Sequence, residues 1–404
     1  MQKLLNALKR IDKRIWLAVF FVILVGVGTA LLATRKIADV TPEKTLTSTN
    51  TSKEPLKPQM QWSPYGQQAI SVVGSSSLTN TSGKNDKFPM ASIAKVMTSL
   101  VLLQEKPLKL GEQGPTMTIT DADVAVYQRE FAQNQSIVPV ETNEKMTEYQ
   151  MIEAMLIPSA TNIADSSAVW AFGSMDAYLA KANTYAASLG MNDTHLGSDA
   201  SGFSPDSVST PQDLIKLGTA AMANPVIAEI VGKKSADLPV AGTVRNFNID
   251  LGIDGINGIK TGNTDEAGGA FLFSAAFNDR TIIGAMMGAP DLGTALHDST
   301  EVLSAFKSTI QVDTLVKNGQ NVGQYTLPWG QKINAVASSP IAVLDWEGSQ
   351  IPVVVNLKSI RANAQKGQTV GTATVQHEGK TLQTTIVLQS SATKPSIWWR
   401  IFHR

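Results

Sequence analysis

The chain has 404 residues, with 34 basic and 34 acidic side chains and no cysteine. That length suits two or three domains and a large core, and the balanced charge favours no nucleic-acid partner. Without cysteine there is no disulfide, no thiol nucleophile and no cysteine–zinc site.

Residues 1–14 form a basic segment (Lys3, Lys9, Arg10, Lys13, Arg14). Ile15–Ala33 then carries no charge and is long enough to cross a hydrocarbon core of about 30 Å as a helix. Basic flanks stay cytoplasmic. Residues 15–34 are therefore expected to be a single-pass anchor in the cell membrane, with everything after it on the extracytoplasmic side. A cleaved signal peptide fits less well: its apolar stretch is usually shorter, and ALLATRK is a poor cleavage site. Residues 35–61, rich in Thr, Ser, Pro and Lys, are expected to be a flexible linker.

From 62 to 310 helix and strand signals mix. QQAISVVGSSS (67–77) reads as a strand. Ala91–Leu103 places Ile93, Val96, Met97, Leu100 and Leu103 at helical spacing. Residues 147–171 read as helix on both sides of Pro158, which breaks the run just before Ser159. Residues 174–192 form an amphipathic helix ending at Gly190. Residues 210–223 form a helix with Thr210 as cap, Pro211 at the first position and Asp213 in the first turn. GINGIKTG and GGAFLFSAAFNDRTIIGAMMGA read as consecutive strands with a turn at Asn278-Asp279, and 292–310 as a closing helix. From 311 to 391 short β-branched runs alternate with Gly, Asn and Ser turns, the pattern of a small all-β domain. The aromatic and basic tail, 392–404, suits either a membrane interface or packing on its own protein.

The four histidines (His195, His297, His377, His403) are scattered, without an H-E-x-x-H or a G-x-S-x-G motif. A histidine zinc site and a Ser-His-Asp triad are unsupported. Ser92 and Lys95 are more informative, because they share one face in the first turn of an apolar helix. A serine hydroxyl is a weak nucleophile until a base takes its proton. A lysine can be that base only when its amine is kept neutral, through desolvation and a nearby cation. The positive end of the helix favours an oxyanion. The same spacing recurs at Ser304–Lys307 and Ser391–Lys394, so it is weak alone. Downstream lie Ser159 in PSATNIAD and Lys260-Thr261-Gly262 in GIKTGNTDEAGG. The second offers a cation and a hydroxyl for a carboxylate, and a glycine that lets a ligand approach the backbone. Ser-x-x-Lys, a second serine motif and Lys-Thr-Gly, in that order, are the signature of penicillin-binding proteins and class A β-lactamases.

On FPMASIAKVMTS, ASLGMNDTHLGSDASGF, STPQDLIKLG and DGINGIKTGNTDEAGGAFLFSA the chain resembles the low-molecular-mass D-alanyl-D-alanine carboxypeptidases, penicillin-binding proteins of the D-Ala-D-Ala carboxypeptidase A type. The β-rich stretch 365–389 resembles the C-terminal domain of those enzymes. The resemblance implies an α/β (α+β) transpeptidase/β-lactamase-like domain, an antiparallel sheet flanked by helices, followed by a small all-β domain. It implies Ser92 as nucleophile, Lys95 as general base and Ser159 as proton shuttle. It implies that Lys260 and Thr261 bind the substrate's terminal carboxylate, beside Gly262, and that the N–H groups of Ser92 and Asn263 form the oxyanion hole. No metal or organic cofactor is implied. The implied partners are the peptidoglycan stem peptide, β-lactam antibiotics and the membrane.

The second motif departs from the family's Ser-x-Asn: here Ser159-Ala160-Thr161 is followed by Asn162. Threonine cannot offer both an amide donor and an amide acceptor. Asn162 lies one residue on, about 100° around a helix, so Thr161 is the expected occupant, and both are candidate substrate-binding residues. Three other readings stay open: a catalytically silent peptidoglycan-binding protein, a D,D-endopeptidase and a serine β-lactamase. A class A β-lactamase also needs a deacylating glutamate, and only Glu229 lies between Ile163 and Lys260.

Overall fold

A computed structural model describes residues 12–44 and 58–403. They fall into two compact units. One comprises 58–311 with 345–347, and the other 12–44, 312–344 and 348–403.

The first unit is organised around a five-stranded antiparallel sheet. Its strands are β1 (Gln67–Val72), β2 (Thr79–Thr81), β3 (Ile256–Thr264), β4 (Gly268–Phe277) and β5 (Arg280–Ala289), in the order β3-β4-β5-β1-β2. β3 is therefore an edge. The β4–β5 turn at Asn278 and Asp279 has φ of 45° and 57°, the left-handed pair of a tight hairpin that Asn and Asp tolerate. β4 and β5 are buried along most of their length, which explains their nearly continuous apolar sequence. Helices cover both faces: Gly218 abuts Ile283, whereas Ser299 contacts Met286 Sδ at 3.9 Å. Residues of opposite parity on one strand point to opposite faces.

The longer helices of this unit are α1 (Ala94–Glu105), α2 (Asp121–Ala132), α3 (Glu148–Leu156), α4 (Thr161–Phe172), α5 (Met175–Ser188), α6 (Pro211–Ala223) and α7 (Leu292–Ser308). From Ala94 to Leu103, α1 is buried at every position. It starts differently from the sequence reading: Ala91–Ile93 is a 3₁₀ turn, with the α-helix beginning at Ala94. Pro158 separates α3 from α4, and Thr210 caps α6 by accepting from Asp213 N at 3.2 Å.

The second unit holds a six-stranded antiparallel sheet. β6 (Asn321–Thr326), β7 (Lys332–Ala337), β8 (Val353–Leu357), β9 (Thr369–His377) and β10 (Lys380–Leu388) lie in the order β6-β7-β10-β9-β8, and Glu43–Lys44 adds a short strand beside β6. That strand corrects the reading of 35–61 as a linker throughout. Val40 is buried and exchanges backbone hydrogen bonds of 2.8 and 2.9 Å with Ile360, and Glu43 and Lys44 pair with Gln324 and Gly323. Polar composition conceals backbone pairing, which needs no apolar side chain. The rest of that stretch from 45 to 57, and residues 1–11 of the basic segment, lie outside the described residues. Lys13–Ala33 is one exposed apolar helix, long and apolar enough to cross a membrane. In the tail, Ile397–Phe402 is helical. Trp399 meets Trp329 edge-on at 5.7 Å, while Trp398 and Phe402 stack at 5.9 Å and are exposed.

Phe273 faces Gly284 across β4 and β5, and a Cβ on Gly284 would fall 2.0 Å from the ring. Gly284→Ala is expected to destabilise this unit by about 2 kcal/mol through overpacking, read as a lowered thermal midpoint. An unchanged midpoint would show that the ring has room to move.

Candidate active site

The chain enters α1 through a constrained turn. Met90 N donates to Ser207 O at 3.0 Å, and Ala91 adopts φ 46°, a strained conformation for a residue with a Cβ. Ser92 follows. Two glycines press on this turn. A Cβ on Gly202 would lie 2.1 Å from Ala91 O, and one on Gly262 would lie 3.0 Å from Ala91 Cβ and 3.3 Å from Ser92 N. The absence of a side chain at Gly262 is what brings edge strand β3 up to the Ser92 N–H.

Lys95 is buried, and its Nζ lies 2.8 Å from Ser92 Oγ and 3.2 Å from Ser201 O. Burial lowers its pKa to about 8, against the pull of the Asp199, Asp165 and Glu130 carboxylates. Near that pH a substantial fraction of the amine is neutral and within proton-transfer reach of the hydroxyl. Lys260 is also buried, with Nζ donating to Thr261 O at 3.0 Å. Its amine is held well below its ordinary value, by burial first and then by repulsion from Lys95.

The loop that offers Ser201 O is folded about one carboxylate. Asp199 accepts from the N–H groups of Ser201 (2.7 Å), Gly202 (2.5 Å), Phe203 (3.3 Å) and Ser204 (2.7 Å), and from the Ser201 hydroxyl (2.9 Å). Asp165 accepts from Ala200 N at 3.0 Å. Arg129 reaches Glu130 at 3.0 Å and Asp165 at 3.8 Å. Burial and the Asp199 charge raise Asp165 to about 6; burial and the Asp165 charge raise Glu130 to about 7.

Ser159, buried and at φ 64°, sits in the break between α3 and α4. It lines a pocket of about 580 Å³ together with Ser92, Thr161, Thr261, Gly262 and Asn263. Thr161 donates both its N–H and its hydroxyl to Ser136 O at 2.7 Å. Two further candidate residues are buried. Asn162 is 1% exposed, accepting from Val138 N at 3.1 Å and donating to Val138 O at 3.0 Å. Both ends of its amide clamp the backbone, so it holds a wall of the pocket. Lys260 is 1% exposed and absent from the pocket lining, so its amine lies behind the wall that Thr261 and Gly262 present.

Sequence reasoning missed Asp199, Asp165, Glu130 and the Ser201 carbonyl. DASG is a readable turn signal, but which carboxylate faces which amine is a matter of tertiary packing. Phe203, Phe247 and the 133–136 loop, also on the pocket wall, carried no motif. Among the described residues one group of metal-ligating type comes together, His297, Asp298 and Glu301. It does not line the pocket, and Asp298 already accepts hydroxyls from Ser63 and Tyr65 at 2.6 and 2.5 Å.

A serine and a buried lysine at the mouth of a helix, facing a Lys-Thr-Gly edge strand, define a serine acyl-transfer enzyme of the penicillin-recognising fold. The sequence profile of the D-alanyl-D-alanine carboxypeptidase family, Peptidase S11, matches residues 75–291. The chain belongs to that family, and is a serine-type D-Ala-D-Ala peptidase. The D-alanyl-D-alanine carboxypeptidase DacB2 of Mycobacterium tuberculosis is 34% identical over 212 residues, covering 50% of this chain and 68% of that protein. The crystal structure of the Streptomyces K15 DD-transpeptidase superposes with a TM-score of 0.55 at 24% identity, over 62% of this chain and 99% of that one. Penicillin binding protein 5 from Haemophilus influenzae shares the fold at a TM-score of 0.59 and 17% identity, over 84% of this chain and 99% of that one.

A methyl group at Gly262 must push β3 or the Ser92 turn apart by a few tenths of an ångström. Gly262→Ala is expected to lower the rate at which a β-lactam acylates Ser92 by about tenfold, with a near-native thermal midpoint. An unchanged rate would show that the close approach is dispensable.

Proposed function

We propose that the chain removes the terminal D-alanine from peptidoglycan stem pentapeptides through an acyl-enzyme on Ser92. The observation that carries this reading is the buried Lys95 amine, with a pKa of about 8, lying 2.8 Å from Ser92 Oγ. Lys95 takes the hydroxyl proton as Oγ attacks the carbonyl carbon of the penultimate D-alanine. The N–H groups of Ser92 and Asn263 hold the developing oxyanion, an effect of about 3–4 kcal/mol per donor in comparable sites.

Thr261, on the pocket wall, receives the terminal carboxylate. Its negative charge stabilises a proton on Lys260 beneath, and that ammonium in turn disfavours a proton on Lys95. Ser159 relays the proton to the leaving nitrogen. The C–N bond breaks, D-alanine departs and the Ser92 ester remains. Water then attacks the ester, with Lys95 again as base, and frees Ser92. Thr161 gives its own hydroxyl proton to Ser136 O, which leaves a lone pair to accept from a substrate N–H. A β-lactam follows the first half of this path: its ring opens on Ser92.

The β-lactamase reading finds less support. Glu229 accepts from Tyr149 OH at 2.6 Å, pairs with Lys233 at 3.3 Å and is absent from the pocket lining. We read 62–310 as the catalytic domain, 311–391 as an accessory β-domain and 392–404 as a membrane-facing tail. The apolar helix Lys13–Ala33 supports a single-pass anchor in the cell membrane, with the basic 1–14 segment inside and the catalytic domain outside.

The test uses a fluorescent penicillin and a pentapeptide ending in D-Ala-D-Ala. The expected result is a slowly released label on Ser92 and one D-alanine freed per peptide, both lost in Ser92→Ala. A label without D-alanine release would favour the D,D-endopeptidase, and no label would leave the silent binder. Rapid turnover of the penicillin would make the protein a β-lactamase.

A further inference from the structure

Three carboxylates act on the Lys95 amine: Asp199 from the 199–204 turn, Asp165 from α4 and Glu130 from α2. Arg129, itself exposed, bridges two of them: its Nη2 lies 3.0 Å from Glu130 Oε1 and 3.8 Å from Asp165 Oδ2. Asp165 also holds Ala200 N at 3.0 Å, next to the Ser201 carbonyl that Lys95 reaches. From α5 comes the phenol of Tyr178, kept neutral by burial and 2.7 Å from Thr98 Oγ1, one turn along α1 from Lys95. On the sheet side Lys95 opposes a charge on Lys260 of β3.

Glu130 is the unusual member of this group. It is 1% exposed, and its Oε2 has no hydrogen-bond partner. Its backbone O accepts from Gln133 N and Gln135 N, both at 3.1 Å, at the root of the loop that lines the pocket. A buried carboxylate with one oxygen left bare costs stability. An ion pair with Arg129 alone does not call for it, since such a pair forms as well at the surface and is worth little there. Burial first, and then the Asp165 charge, raises Glu130 to about 7, so its proton leaves just ahead of that on Lys95, at about 8. Groups that titrate in each other's field are coupled, and a negative charge on Glu130 holds the proton on Lys95.

We infer that Glu130 is a positioning residue for the general base: its buried charge, paired on one side with Arg129, sets the lower pH limit at which Ser92 is acylated. A charged Glu130 preserves the ammonium of Lys95 and delays the base. A neutral group in its place frees the amine at lower pH. Glu130 is absent from the pocket lining and works through the amine. The role rests on the proposed reaction, in which Lys95 takes the Ser92 proton.

The experiment times the acylation of Ser92 by a fluorescent penicillin from about pH 5 to pH 10, in the full-length wild type and in Glu130→Gln, which keeps an oxygen for Arg129. The variant is expected to show its acidic midpoint about half a pH unit lower. Below that midpoint it should be about threefold faster than the wild type, and on the alkaline plateau within about twofold of it. Asp165→Asn, which keeps an oxygen for Ala200 N, is expected to move the midpoint in the same direction and serves if Glu130→Gln does not fold. A midpoint that stays put or rises, or a rate lowered equally at every pH, would make Glu130 a structural residue and overturn the inference while the reaction stands. If the wild type takes no label at all, the reaction and this role both fall.

Discussion

Two lysine amines are buried at the junction of a helix and a sheet edge, and the charge on Lys95 makes a charge on Lys260 unfavourable. Lys95 rides on the buried stretch of helix α1 and Lys260 on β3. Burying one ammonium is already unfavourable; two within each other's field are more so. The fold tolerates the pair because burial lowers both pKa values, which eases the cost of holding either amine inside. A neutral amine beside a hydroxyl is the reagent that acyl transfer needs at ordinary pH. The structural penalty and the chemical advantage therefore have the same origin.

The surroundings keep that balance from tipping. Asp199 draws four backbone N–H groups into one turn and so presents Ser201 O to Lys95. Asp165 ties the same turn to α4 through Ala200 N. These carboxylates also pull the Lys95 pKa upward, so an amine that burial alone would drive lower stays near 8. The backbone supplies the rest. Ala91 and Ser159 hold left-handed conformations, and both sit at the pocket. Strain of this kind persists only where the surrounding structure over-determines it. Here it shapes the turns that carry Ser92 and Ser159.

Much of the fold was legible because its signals are local. The break at Pro158, the Thr210 cap with Pro211, and the Asn278-Asp279 turn each fix backbone geometry within a few residues. Ser92, Lys95 and Lys260 stood out because a polar group in an apolar run breaks the local pattern, and such breaks gather at functional sites. What was hidden is non-local. Val40 joins Ile360 in an isolated backbone bridge, and Asn162 grips Val138 from 24 residues away. One-residue offsets along a helix also mislead: Thr161 and Asn162 are neighbours in sequence, yet one lines the pocket and the other clamps its wall. Lys260 was placed on the substrate's carboxylate by motif, whereas its burial makes it an electrostatic partner of Lys95.

The account rests on the protonation of one amine, and that can be measured directly. Lysine Nζ resonances of the intact protein, labelled with ¹⁵N and assigned for Lys95 by comparison with Lys95→Arg, can be followed across pH. The account predicts that the Lys95 resonance titrates with a pKa of about 8. A pKa at or above the ordinary lysine value of about 10.4 would contradict it, because Lys95 would then be a structural ammonium and Ser92 would have no base.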